Sequence, residues 1–237
     1  MFRLSRNPHD FRFPPVELAS PEGLLAVGGD LQPERLLQAY RHGIFPWYDD
    51  AQPILWWSPD PRAVLFPDKL HISRSLERTI RRGTFTLTLD RCFREVMTQC
   101  AGPRPQYPAG GTWITPAMIE AYTTLHDLGY AHSIEAWKEG LLVGGLYGVA
   151  IGGAFFGESM FSRAADASKV ALVTLVRQLQ AWGFQIFDCQ QTSPHVMRLG
   201  AEEIPRRDFI THLATAIALP DRRGHWRLDR SSPLNSC

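Results

Sequence analysis

Long hydrophobic runs are missing from this 237-residue sequence. No apolar stretch reaches the ~18 residues of a membrane helix, so no spanning segment is expected. The N-terminus, Met1-Phe2-Arg3-Leu4-Ser5-Arg6, carries no apolar signal-peptide core. Cysteine is scarce. Cys92, Cys100, Cys189 and Cys237 are the only four, with no CxxC pair, which excludes a disulfide framework and fits reduced thiols in the cytoplasm. Net charge is nearly absent at +1, so there is no global attraction to nucleic acid and any basic patch must be local. Internal repeats and low-complexity segments are absent as well.

Familiar catalytic patterns are also lacking. Gly144, Gly145, Gly148, Gly152 and Gly153 match neither GxGxxG nor the P-loop; bulges or close backbone approach in a sheet account for them better. Gly157-Glu158-Ser159-Met160-Phe161 is not GxSxG. The eight histidines are scattered, without HExxH or zinc spacing. Cys189 has no histidine near it in sequence and reads as a small buried residue. The chemistry left open needs no metal, nucleotide cofactor or covalent nucleophile. Transfer of an activated acyl group to an amine is such a reaction, since positioning, carbonyl polarisation and a weak base suffice.

What is present is an ordinary globular composition, 44% hydrophobic and 21% charged, enough for a sizeable core. Residues 11–61 are rich in Pro, Gly and Trp. They hold one clear helix, with Pro33 in its first turn, Leu36, Leu37 and Tyr40 on one face, and Gly43 past its end. Ala63 to Phe66 reads as a strand. Ser73 caps a helix bearing Arg74, Arg78, Arg81 and Arg82, which is either a solvated face or a phosphate-binding track. A strand with Phe85, Leu87 and Leu89 follows, then a helix capped by Asp90, a Pro/Gly loop over 102–111, and a helix opened by Thr115-Pro116 with Met118, Ile119, Tyr122 and Leu125 on one face. His132 to Trp137 and the runs from Leu141 to Phe156 form a meander. Glu158 lies on its last strand. After a helix to Trp182, Phe184 to Phe187 is another strand, ending in Asp188-Cys189-Gln190. If these strands share a sheet, Glu158, Asp188 and Gln190 meet at one edge of it. Two short helices close the pattern, which is mixed α/β (α+β). The expected division is a small N-terminal domain over 1–62, a catalytic domain over 63–220 and a disordered tail over 221–237.

Many words of this sequence stand in the order of one family. They include Gly43-Ile44-Phe45-Pro46-Trp47, Trp56-Trp57-Ser58-Pro59-Asp60-Pro61-Arg62, Gly111-Thr112-Trp113-Ile114-Thr115, His132-Ser133-Ile134-Glu135, Gly157 to Arg163, Asp188-Cys189-Gln190 and Ile204-Pro205-Arg206-Arg207. On these the chain resembles bacterial leucyl/phenylalanyl-tRNA–protein transferases from about Phe13 to Leu219. The resemblance implies an acetyltransferase-like (GNAT-like) larger domain with a mixed, mostly antiparallel sheet. It implies transfer of Leu or Phe, less often Met, from aminoacyl-tRNA to the α-amine of proteins beginning with Arg or Lys, which marks them for degradation. Gln190 is then the proton acceptor, tuned by hydrogen bonding to Asp188, and Glu158 faces the acceptor's basic side chain. Trp47 and Trp113 lie near the terminal adenosine. Leu146, Phe155, Met160 and Ile186 line the amino-acid pocket, with Leu146 and Phe156 departing from the residues usual there. Arg74, Arg78, Arg81 and Arg82 meet the tRNA. No cofactor and a monomeric state are expected. The acetyl-CoA signature R/Q-x-x-G-x-G/A is absent, because Ala164 to Lys169 stand in its place. An amine acceptor of another kind, or an RNA-binding module without catalysis, are the alternatives.

Overall fold

The structure, a computed structural model, describes residues 2–5, 7, 9–102 and 113–229. The Pro/Gly loop beyond Gly102, up to Thr112, and residues 230–237 lie outside the described residues.

The N-terminal part folds around a helix and a small sheet. Strand β1 (Phe2–Leu4) and β2 (Leu24–Gly28) pair in parallel; helix α1 (Pro33–Arg41) follows; β3 (Phe45–Pro46) and β4 (Leu55–Trp57) complete the order β1-β2-β4-β3. Pro33 occupies the first helical turn, where its missing N–H costs nothing. Leu36, Leu37 and Tyr40 are buried, as their spacing predicts. The sheet was not legible in the sequence, because its strands are only two to five residues long and carry no period to read.

The larger part begins with β5 (Arg62–Leu65) and α2 (Arg74–Arg81), then β6 (Thr86–Leu89), α3 (Phe93–Cys100) and α4 (Pro116–Asp127). The meander is β7 (Ala131–Lys138), β8 (Leu141–Ile151) and β9 (Ala154–Ser162). Helix α5 (Ala167–Ala181) crosses to β10 (Ile186–Gln190), and α6 (Pro194–Arg198), β11 (Glu202–Ile204) and α7 (Arg206–Ile217) follow. The seven strands run in the order β11-β5-β10-β9-β8-β7-β6. Every neighbouring pair is antiparallel except β9 and β10, the pair joined through a crossover helix. This is the mixed, mostly antiparallel α/β class that was expected.

The glycines of β8 act through close approach. A Cβ on Gly144 would lie 2.7 Å from the Cβ of Ala167, the first residue of α5. At Gly148 it would collide with the backbone oxygen of Phe156, where the β8–β9 register shifts.

One face of the large sheet shares a single core with the N-terminal part, with Tyr40, Trp56, Tyr147 and Phe156 among its members. The other face is covered by α5 and α2.

Two expectations need correction. Asp90 does not cap α3. It sits at φ 55, and its carboxylate accepts hydrogen bonds from the backbone N–H of Ser133 and of Trp226 and from His132 Nδ1. Residues 221–229, expected to be tail, pack on the large domain. Trp226 is buried and stacks on His132 at 3.6 Å, and Asp229 accepts from Gln178 and Trp182.

Candidate active site

Strands β9 and β10 are paired only where 154–156 face 186–188. Beyond that point β9 continues through Glu158 to Ser162, while β10 ends at Gln190. A cleft of about 990 Å³ opens between them, bounded by Trp47, Trp113, Leu146, Glu158, Met160 and Gln190. Two unlike chemistries therefore share one hollow, aromatic and aliphatic walls around a polar floor.

The floor is a hydrogen-bonded cluster drawn from four elements. Glu158 Oε1 accepts from Tyr40 Oη at 2.6 Å and from Gln190 Nε2 at 2.7 Å. Glu158 Oε2 accepts from Tyr122 Oη at 3.3 Å. The two phenols, one from α1 and one from α4, also lie in close contact, so two O–H protons are shared among three oxygen pairs. Because the carboxylate takes the amide N–H of Gln190, that side chain's Oε1 is left as the acceptor for a visiting group. Burial raises the Glu158 carboxyl to about 7, against the pull of its Tyr40 and Gln190 hydrogen bonds, and the charge of Asp188 adds to the rise. Burial and the Glu158 charge raise Tyr40 and Tyr122 well above the ordinary tyrosine range, so both stay donors.

Asp188 works from behind this cluster. It is fully buried and gripped by Arg62, with Nε to Oδ1 at 2.9 Å and Nη2 to Oδ2 at 2.6 Å. Arg62 is itself buried between the rings of Phe45 and Phe209, and its Nη1 donates to Gly43 O. Asp188 Oδ1 also accepts the backbone N–H of Gln190 at 2.8 Å. Gln190 stands at φ 63, where the β10–β5 register shifts. The strand is therefore irregular at this point, and the simple same-side alternation expected of Asp188 and Gln190 does not apply. Asp188 holds the backbone of Gln190 rather than its amide.

The pocket residues separate into two groups. Leu146 and Met160 are cross-strand partners and border the cleft. Phe155 and Ile186 are buried in the two cores beneath it and do not. Trp47 packs edge-on against Trp57 at 5.6 Å. Arg74, Arg78, Arg81 and Arg82 are all exposed on α2, away from the cleft lining, and Arg81 is drawn to Glu77 at 3.4 Å. Cys189 borders the cleft, but burial pushes its thiol up, as expected of an inert cysteine. Among the described residues no group of three His, Cys, Asp or Glu is placed to hold a metal ion.

Tyr40, Tyr122 and Arg62 are site residues that the sequence did not reveal. Each tyrosine lies on an apolar helix face and reads as core. The available signal was that a buried phenol needs a partner for its O–H.

Apolar walls around a polar floor at the parting of two strands mark this cleft as the candidate active site. Residues 64–214 match the family described as leucyl/phenylalanyl-tRNA protein transferase, and residues 29–60 match its N-terminal domain. The chain belongs to that family. A leucyl/phenylalanyl-tRNA–protein transferase of Myxococcus xanthus (strain DK1622) is 58% identical over 224 residues, covering 94% of this chain and 95% of its own. That of Nitratidesulfovibrio vulgaris (strain DP4) is 60% identical over 217 residues, covering 91% and 92%. Among solved structures, L-PGS from Bacillus licheniformis aligns at a TM-score of 0.40 and 13% identity over 71% of this chain and 53% of its own. A GCN5-related N-acetyltransferase-like protein from Streptococcus suis aligns at 0.35 and 14% over 76% and 67%. Likenesses this distant carry no argument.

Proposed function

We propose that the chain moves Leu or Phe from aminoacyl-tRNA to the N-terminal α-amine of proteins that begin with Arg or Lys, marking them for degradation. The hydrogen bond from Gln190 Nε2 to Glu158 Oε1 carries this reading. It occupies the amide N–H of Gln190, a residue on the cleft wall, and leaves the amide oxygen as the acceptor for a visiting group.

The acceptor amine attacks the ester carbonyl carbon of the aminoacyl group. The bond from that carbon to the ribose oxygen breaks, the new peptide bond forms, and the proton lost by the amine ends on the departing ribose oxygen. Gln190 Oε1 accepts an N–H of the attacking amine and fixes its approach. A protein α-amine has a pKa of ~7.7–8.0, so a useful fraction is neutral near pH 7.5 and no strong base is required. Glu158 is the charge partner of the acceptor's Arg or Lys, whose arrival favours the ionised carboxylate. Leu146 and Met160 receive the amino-acid side chain, Trp47 and Trp113 flank the adenosine, and Arg74, Arg78, Arg81 and Arg82 meet tRNA phosphates. Residues 1–62 form the smaller domain, and the catalytic one runs from 63 beyond 220 to take in Trp226 and Asp229. The protein works as a monomer in the cytoplasm.

The test is transfer of radiolabelled Leu from leucyl-tRNA to peptides that differ only in their first residue. Incorporation into Arg- and Lys-initiated peptides, and little into Ala-initiated ones, is expected. Equal incorporation into all three contradicts the acceptor assignment, and binding of tRNA without transfer contradicts the reaction.

A further inference from the structure

The cleft continues into a second hollow of about 520 Å³ along the loop that leads into α5. The two share Met160, Phe161, Ser162, Arg163 and His195 on their walls. The junction is basic. Arg163 stands at the end of β9, and at about 3.3 Å per residue it is roughly 16 Å along the strand from Glu158. Its guanidinium bonds the Gln99 amide and, among the described residues, no carboxylate. Arg198 borders the cleft, is exposed, and has no ion-pair partner among the described residues. Burial, with the charges of Lys169 and Arg198, pushes the His195 imidazole below its ordinary value, so the ring serves as a neutral donor and not as a charge; its Nε2 is buried without a hydrogen-bond partner. Among the described residues, the one acid on these walls besides Glu158 is Asp166, and Lys169 neutralises it at 2.6 Å. Two guanidiniums without a carboxylate and a histidine thus face a groove that opens from the reaction centre, in a chain whose net charge is only +1.

We infer that Arg163, Arg198 and His195 form a binding site for the phosphate backbone of the donor's single-stranded end, beyond its terminal nucleoside. The inference rests on the reading that the cleft holds an aminoacyl-tRNA. Given that donor, its chain must leave the cleft from the ester outward, and among the described residues the unpaired positive charge on the cleft wall lies at this exit. Arginine suits the task because its planar donors grip phosphate oxygens in pairs. The site is separate from the arginines of α2, none of which borders either hollow.

The test compares two donors that differ in phosphates, leucyl-tRNA and leucyl-adenosine, in the wild type and in the double variant Arg163→Gln/Arg198→Gln. Both side chains are exposed, so folding is checked simply by melting. For leucyl-tRNA the KM should rise roughly tenfold, and the salt slope of binding should fall by about 1.4, at ~0.7 for each single-strand phosphate no longer neutralised. For leucyl-adenosine the KM should change far less. The Arg163→Lys/Arg198→Lys variant should keep most of the slope. An equal rise in KM for both donors, or an unchanged salt slope, overturns the site. If the wild type transfers from neither donor, the donor reading of the cleft has failed and takes this inference with it. If the wild type is active and the variants match it, only this inference fails.

Discussion

Arg62 holds Asp188 by two hydrogen bonds, 2.9 and 2.6 Å, with both side chains buried at the boundary between the N-terminal part and the large sheet. The pair ties the strand end that carries Gln190 to the backbone of Gly43. Removing one partner leaves a buried charge unpaired, which typically costs ~3–5 kcal/mol, whereas replacing both by apolar groups is often near neutral. Asp188→Ala should therefore lower stability by about that amount in urea unfolding. Arg62→Met/Asp188→Leu should recover most of it and still turn over slowly, because nothing then holds the Gln190 N–H. A stable Asp188→Ala protein would contradict the structural role, and a fully active double variant would contradict the positioning one.

Tyr40 and Tyr122 should set the pH at which the site works. Their hydrogen bonds favour the ionised form of Glu158, whose carboxyl stands at about 7. Without a phenol donor the carboxyl rises further. Tyr40→Phe should move the acid limb of the kcat/KM profile for an Arg-initiated peptide to higher pH, with most activity regained near pH 8.5. Tyr122→Phe should do the same to a smaller extent, since its bond is longer. An acid limb that stays in place in both variants contradicts the coupling.

The same carboxyl gives stability a pH dependence. Its folded value, about 7, lies above the ordinary 4.5, so the folded state holds the proton more tightly than the unfolded chain. Its contribution is complete below 4.5 and is lost as pH rises through 7. A rise of that size corresponds to at most ~3 kcal/mol. Glu158→Gln should gain stability over the wild type at pH 8 and none at pH 4.5. Thermal unfolding at the two pH values reads this directly, and an equal effect at both contradicts it.

Selectivity among amino acids should follow Leu146 and Met160, the two of the four expected pocket residues that border the cleft. An apolar slot separates hydrophobic side chains by only ~1–3 kcal/mol per methylene. Leu and Phe should be transferred well and β-branched Ile and Val poorly. Met160→Ala should shift the ratio of kcat/KM for Phe-tRNA over Leu-tRNA. Phe155→Leu, in the core below, should cost about 1–2 kcal/mol of stability and leave that ratio unchanged. A changed ratio in Phe155→Leu would place that side chain at the substrate after all.

Helices and the meander were readable because their signals are local. Pro33, Ser73 and Thr115 each mark a helix start, and Glu139-Gly140 makes the hairpin turn with both residues at positive φ. What stayed hidden depends on contacts distant in sequence. Asp90 looks like a cap until His132, Ser133 and Trp226 converge on it. Residues 221–229 look like tail because Trp226 is a single aromatic in a polar run. Glu158 and Gln190 were legible as neighbours only on the condition that their strands share a sheet, and β9 and β10 do pair. That Tyr40, Tyr122 and Arg62 complete their surroundings was not, since the pairing of Tyr40 with Glu158 spans 118 residues and that of Arg62 with Asp188 spans 126.

The central claim is that Gln190 positions the attacking amine while Glu158 selects the acceptor's basic side chain. Steady-state kinetics of Gln190→Ala and Glu158→Gln with Arg-, Lys- and Ala-initiated peptides test it most directly. The account predicts that Gln190→Ala lowers kcat by ~10²-fold for all three peptides, the scale of a misplaced reactant. It predicts that Glu158→Gln raises KM for the Arg and Lys peptides and leaves the Ala peptide nearly as it was. Near wild-type kcat in folded Gln190→Ala, or a uniform loss across the three peptides in Glu158→Gln, would contradict it.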